Sequence, residues 1–131
     1  MSTLTKDTRW RPGIRKTIPP SPAYASVVAA NTAVTLWNTT SGRTAILKKL
    51  HVENRQGAQI RLEVGTVTGG IFTASMPAFI VPALTDQYYS EDQIVAVEFA
   101  GAISVQASAA GASPADVRVS PEVEEYMGIN G

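Results

Sequence analysis

The sequence predicts an all-β protein, an antiparallel β-sandwich or jelly roll of about seven to nine strands with an extended N-terminal arm. Short runs of β-branched and other apolar residues recur about every ten residues, and turn-forming residues separate them. Several runs alternate apolar with polar residues, which is typical of strands with one buried face. Nothing in the sequence indicates an amphipathic helix longer than about two turns.

We divide the chain into three parts: an arm at residues 1–22, a β-sandwich domain at 23–120 and an acidic tail at 121–131. The arm holds four of the eight prolines and five basic residues. Because proline fixes φ and lacks an N–H, such a segment favours an extended conformation. A length of 131 residues predicts one domain and leaves no room for a separate catalytic domain.

The body is predicted to begin with two short strands, at residues 24–30 and 33–37, which the turn-forming cluster 38–42 follows. Residues 45–53 and 58–64 then alternate apolar with polar side chains around the turn-forming residues between them. This pattern predicts a β-hairpin at the centre of the fold.

The first strand of that hairpin has one fault in its alternation. Ile46, Leu50 and Val52 share a face with Lys48, which places a charge among apolar neighbours. A β-bulge near Leu47 and Lys48 would turn the lysine outward.

Residues 65–75 are predicted to form a loop with Gly69 and Gly70 at its tip. Pro82 restricts the next strand to a sheet edge or a bend. Residues 93–99 predict a central strand that forms a second hairpin with 103–109, whose odd-numbered residues point inward. The later strands are predicted at residues 79–84, 87–90, 93–99, 103–109 and 116–120.

Charge and cysteine content narrow the classes of function. Eleven basic and eleven acidic residues give no net charge, so the chain as a whole has no field that would attract nucleic acid or an anionic membrane. The absence of cysteine excludes disulfides and thiolate metal sites. We find neither a signal peptide nor a membrane-spanning segment, and a cytoplasmic origin fits the absence of cysteine.

The arm supplies the first set of candidate partner-binding residues. Trp10, between Arg9 and Arg11, is the one large apolar anchor there, and Arg15 and Lys16 add positive charge. The tryptophan would enter a pocket on another chain while the arginines meet carboxylates or phosphates. The alternatives are that the arm folds back on its own domain or is disordered.

The tail supplies the second set. It contains three glutamates and no basic residue, opposite in charge to the arm, which suits contacts between copies. The candidate partner-binding residues are Glu122, Glu124, Glu125 and Tyr126.

The sequence carries no convincing catalytic, cofactor-binding or metal-binding motif. His51 is the only histidine, so any metal site or Ser/His/Asp arrangement would need partners from elsewhere in the fold. Tyr88 and Tyr89 are neighbours in one strand and should face opposite sides, so one is available to stack on a sugar. We therefore expect a protein that is not an enzyme.

Three stretches resemble small tailed-phage virion proteins of the head decoration, or cement, type. They are residues 37–54 (WNTTSGRTAILKKLHVEN), 60–65 (IRLEVG) and 103–109 (ISVQASA), within a region of similarity at about 33–111. The resemblance implies a β-sandwich or jelly roll, often a homotrimer, that sits on the outside of a capsid and clamps neighbouring capsid subunits.

The resulting expectation is a non-enzymatic virion structural protein without cofactors, whose partners are the major capsid protein and further copies of itself. The body would supply rigidity and the arm and tail would supply reach. The alternative is a tail-associated or surface module that binds carbohydrate.

Overall fold

The computed structural model describes residues 15–18, 25–27, 30–108 and 116–127. Their only helical segment is a 3₁₀ turn, so none of their helices is long enough to cross a membrane. The strands are β1 (Arg15–Ile18), β2 (Ala25–Ser26), β3 (Val34–Trp37), β4 (Arg43–Asn54), β5 (Ile60–Thr68), β6 (Ile71–Ala74), β7 (Phe79–Val81), β8 (Thr85–Tyr89), β9 (Glu98–Phe99), β10 (Ile103–Ser108) and β11 (Val117–Met127), and the 3₁₀ turn is Glu91–Gln93. All pairings are antiparallel, which confirms the all-β class.

The strands form two sheets with the order of a jelly roll. In the first sheet β11 pairs with β4; β1 and β2 flank β11, and β8 and β9 flank β4. In the second sheet β10 pairs with β5; β3 flanks β10, and β6 and β7 flank β5. Two short strands that pair with the same longer strand, such as β1 and β2 with β11, can be counted as one interrupted strand. Each sheet then has four strand positions. Every connection between positions then crosses from sheet to sheet except the one from β5 to β6.

The predicted central hairpin is wrong, because β4 and β5 belong to different sheets. Their alternating apolar residues face each other across the core. Asn54, which is 1 % exposed, stabilises the connection that crosses from β4 to β5 in the other sheet. Its side-chain amide donates to the carbonyls of Ala58 and Pro82, and its Oδ1 accepts from the N–H of Gln56. A buried polar side chain with this many partners fixes a connection that alternation alone does not specify.

The second predicted hairpin is also wrong. Only Glu98 and Phe99 of the segment 93–99 form a strand, at an edge of the first sheet, whereas β10 lies in the second. A hairpin does form where a loop was expected, between β5 and β6. Gly69 and Gly70 make its turn with φ of 60° and 80°, a conformation that favours glycine.

The predicted bulge in β4 is confirmed. Along the pairing with β11, Glu122 lies opposite Lys49 and Val123 lies opposite Leu47, so Lys48 has no partner in the register. The lysine turns outward and its Nζ lies 3.2 Å from Oε1 of Glu91.

The core lies between the sheets and is mostly aliphatic. It includes the inward side chains of β10 as predicted, and Pro82 follows the short edge strand β7 as predicted. Deeply buried apolar side chains of the two central strand pairs include Leu50, Val52, Ile60, Leu62, Val64, Ile103, Val105, Val117, Val119 and Val123.

Strand β11 continues through Pro121 to Met127, whereas the sequence predicted that it ends at Ser120. Pro121 lies between the part of β11 that pairs with β2 and the part that pairs with β1. Neither β1 nor β2 pairs with Pro121. The N–H that proline lacks is therefore not needed for a backbone hydrogen bond to either of these strands. Residues 121–127 are therefore part of the first sheet.

Candidate assembly surfaces

The structure divides the predicted arm residues into two groups. Arg9, Trp10 and Arg11 lie outside the described residues, and their binding to a partner stays a prediction. Arg15 and Lys16 lie in β1, opposite Tyr126 and Glu125 of β11. This part of the arm therefore pairs with its own domain, which was one of the alternatives.

The four predicted tail residues all lie in β11, and two of them are buried within this chain. Glu125 and Tyr126 are 1 % and 2 % exposed. Glu122 and Glu124 are partly exposed, and Oε1 of Glu122 lies 4.0 Å from Nζ of Lys49. The alternation of Val117, Val119 and Val123 with polar residues was a signal that the strand continues past the proline.

Both chain ends leave the body at one end of the first sheet. Because β1 and β11 are antiparallel, the chain enters β1 at Arg15 beside Tyr126 and leaves β11 at Met127. Residues 1–14 and 128–131 therefore start from neighbouring points. Any contact that they make begins from the same end of the sandwich.

The buried carboxylate of Glu125 makes several contacts at this end of the first sheet. Oε2 of Glu125 accepts a 2.8 Å hydrogen bond from the indole Nε1 of Trp37 and a 3.1 Å bond from the backbone N–H of Thr40. The Arg43 guanidinium lies 3.8 Å from Oε1. These contacts join the C-terminal part of β11 to β3, to the start of β4 and to the connection between them. Trp37 therefore has a structural role, because its indole N–H already donates to Glu125.

Burial raises the pKa of the Glu125 carboxyl, but hydrogen bonds from Thr40 and Trp37, with the nearby Arg43 charge, more than offset this effect. The net result is a pKa below the ordinary value. Glu125 is therefore ionised at neutral pH although it is enclosed by protein.

The outer face of the first sheet carries a polar cluster that the sequence did not predict. His51 and Glu53 of β4 lie beside Tyr88 and Asp86 of β8, in register. The rings of His51 and Tyr88 stack, with centroids 4.1 Å apart and planes 4° apart. Alternation placed His51 and Glu53 on one face, but only the pairing of β4 with β8 brings Asp86 to them.

The same cluster does not form a Ser/His/Asp arrangement through His51 Nε2. Ser120 of β11 lies opposite His51 in the register. However, Nε2 of His51 has no hydrogen-bond partner. The bond between nucleophile and base that such catalysis requires is not made at this nitrogen.

The outer face of the second sheet bears a shallow, uncharged groove of about 640 Å³. Small and hydroxyl-bearing side chains line it, among them Ala33, Thr35 and Ser104. Exposed Val67 of the β5–β6 hairpin also lines it, and exposed Ile71 lies opposite Thr68 in the same hairpin. This groove has no charged lining residue, in contrast to the cluster on the outer face of the first sheet.

No family model matches the sequence, and no curated protein matches it. Among solved structures, the chain is similar to a protein of infectious bursal disease virus, Gx strain, with 14 % identity and a TM-score of 0.48 over 100 % of this chain and 37 % of that one. It is also similar to a chain of the cyanophage Pam1 capsid asymmetric unit, with 20 % identity and a TM-score of 0.40 over 97 % and 94 %. A third is the VP2 subviral particle of infectious bursal disease virus, with 10 % identity and a TM-score of 0.40 over 97 % and 37 %.

These three solved structures come from viruses. The chain spans about a third of the length of the bursal disease virus proteins. The jelly-roll fold itself follows from the strand order and pairing of this chain.

Proposed function

We propose that this protein is a non-enzymatic structural component of a virion, a decoration or cement protein that binds the outer surface of a capsid as a homo-oligomer. The observation that carries the proposal is that both chain ends leave a well-packed jelly roll at the same end of one sheet. Such an arrangement suits a body that stays rigid while its terminal segments bind neighbouring subunits.

The proposed contacts of the arm rest on its charge and its one aromatic anchor. From Arg15 outward, 14 extended residues reach about 46–50 Å, enough to cross onto an adjacent subunit. Trp10 would fill a pocket there, and Arg9 and Arg11 would pair with carboxylates of the major capsid protein or of another copy.

Glu122 and Glu124 are proposed to take part from the outer face of β11. The side chains of Glu122 and Glu124 are partly exposed, whereas that of Glu125 is buried and stabilises the fold. Acidic side chains at this position complement a basic arm from a second copy. Buried Tyr126 would contribute only by supporting the strand.

Deleting residues 1–14 is expected to leave the body folded and to weaken its association. Because β1 starts at Arg15, this deletion keeps every strand of the sandwich. The melting temperature should stay within about 3 °C of the full chain, since no described packing is lost. Light scattering should show a smaller oligomer, and binding to undecorated capsids should fall at least about tenfold.

Two variants make this test sharper. Trp10→Ala in the full chain removes the anchor and keeps the charges, whereas Arg61→Gln removes one basic side chain from the exposed face of the second sheet. Only Trp10→Ala should weaken capsid binding. Equal binding by the full chain, the deletion and Trp10→Ala would contradict the role of the arm.

The alternative, a carbohydrate-binding module, would use Tyr88, whose side chain is 72 % exposed. Tyr89 instead packs on Phe79 with centroids 4.6 Å apart, so the strand offers one aromatic face. Glycan-array binding that disappears in Tyr88→Ala, together with no binding to capsids, would favour this alternative over the virion role.

A further inference from the structure

Three potential metal ligands meet on the outer face of the first sheet. His51, Glu53 and Asp86 each offer one ligand atom, and these atoms lie within 4.8 Å of one another. His51 and Glu53 occupy alternate positions of β4, and Asp86 lies opposite Glu53 on β8. One imidazole nitrogen with two carboxylate oxygens is a donor set that zinc accepts, whereas calcium prefers oxygen alone.

Two further observations point to a ligand at this cluster. Nε2 of His51 and Oε1 of Glu53 are shielded from solvent, and neither has a hydrogen-bond partner. Shielded polar atoms without such a partner are rare in proteins, and a bound cation would satisfy both. The stacked ring of Tyr88 also holds the imidazole in place, which lowers the cost of ordering it as a ligand.

We propose that His51, Glu53 and Asp86 bind a Zn²⁺ ion and leave at least one coordination position open to water or to a group on a neighbouring molecule. With zinc–ligand distances of about 2.0–2.2 Å, tetrahedral ligand atoms lie about 3.4 Å apart, so ligand atoms that are now up to 4.8 Å apart must approach by at most about 1.4 Å. Asp86 is exposed and can rotate to make this adjustment. The bound ion joins β4 to the edge strand β8.

The ion competes with positive side chains near Glu53. Nε of Arg55 lies 3.7 Å from Oε1 of Glu53, and Arg118 lies opposite Glu53 on β11. Arg55 is the more easily displaced because its side chain is 63 % exposed. Replacing Arg55 should therefore strengthen zinc binding, whereas replacing a residue that only stabilises the fold should not.

The test is calorimetric titration of ZnCl₂ into the full chain, prepared without an affinity tag and freed of metal with a chelator. One zinc ion per chain is expected. His51→Ala and Asp86→Asn should each weaken binding at least about tenfold, and Arg55→Gln should strengthen it several-fold. Glu98→Gln, which removes an exposed carboxylate from β9, is the matched control and should bind zinc like the unmodified chain.

A second measurement uses the fact that His51 is the only histidine. Its imidazole NMR signals should shift on adding zinc and stay unchanged on adding calcium. The proposal is overturned if the unmodified chain binds no zinc, if Asp86→Asn binds zinc as tightly, or if Glu98→Gln loses as much affinity as the ligand variants. Calcium binding without zinc binding also overturns it.

Discussion

Replacing Gly65 by alanine is expected to destabilise the fold by about 3 kcal/mol. Gly65 lies in β5 between Ser104 of β10 and Ala74 of β6. A Cβ there would overlap the carbonyl oxygen of Thr73 and lie 2.8 Å from Cα of Ala74. Both atoms belong to the backbone of β6, so no side-chain rotation can relieve the clash, and the β5–β6 pairing must be disturbed.

Gly57→Ala is the matched control for this prediction. Gly57 lies in the connection between β4 and β5, and a Cβ there would meet no atom within 4 Å. Its stability should change by no more than about 0.5 kcal/mol. Urea unfolding monitored by circular dichroism measures both variants. A midpoint for Gly65→Ala equal to that of the unmodified chain would show that β6 moves away without cost.

Replacing Glu125 by alanine is expected to cost about 3–6 kcal/mol, because two hydrogen bonds to a buried charged acceptor are lost and each contributes about 1.5–3 kcal/mol. The indole N–H of Trp37 and the backbone N–H of Thr40 would lose their shared acceptor, and Arg43 would lose its nearby carboxylate. Chemical unfolding measures the loss, and Trp37 fluorescence reports the local change.

Glu122→Gln separates the effect of burial from the effect of charge. It removes a carboxylate from the same strand, but one whose ion pair with Lys49 spans 4.0 Å near the surface. Its cost should be below about 1 kcal/mol. If Glu125→Ala and Glu122→Gln lose equal stability, the buried hydrogen bonds of Glu125 add nothing to the stability beyond the effect of its charge.

Stability should also fall in acid through Glu125. Its folded-state pKa is below the ordinary value of 4.5, so protons bind the unfolded chain more readily than the folded one. The contribution is therefore complete above about pH 4.5 and is lost as pH falls through the folded-state pKa. Urea midpoints measured from pH 7 to pH 3 should fall less steeply for Glu125→Gln than for the unmodified chain. Parallel curves would contradict this assignment.

Sequence patterns predicted which residues are buried better than which strands pair. Alternation correctly placed Ile103, Val105 and Ala107 toward the core. It could not show that β4 and β5 lie in opposite sheets, because a strand has the same alternating pattern whether its neighbour in sequence lies beside it or across the core. The contacts of Asn54 that hold the crossover depend on carbonyls of Ala58 and Pro82, which no local pattern identifies.

The acidic C-terminal segment shows a second limit of sequence reasoning. The sequence predicted that the last strand ends at Ser120 and that an acidic tail follows, whereas Pro121 falls between the two short partners of β11 and is tolerated there. Glu125 is stabilised by Trp37 and Thr40, about eighty-five residues away in the chain. Its burial therefore depends on the tertiary fold, as does the meeting of His51 with Asp86.

The interrupted outer positions of the two sheets would matter if many copies lie close together on a capsid, as we propose. Among the strands that the structure describes, those at the sheet edges, β1, β2, β3, β6, β7, β8 and β9, have at most five residues each. Unpaired edges are where strands of separate molecules add to one another and start aggregates. Edges this short and discontinuous give an incoming strand few consecutive hydrogen bonds, which disfavours edge-to-edge aggregation.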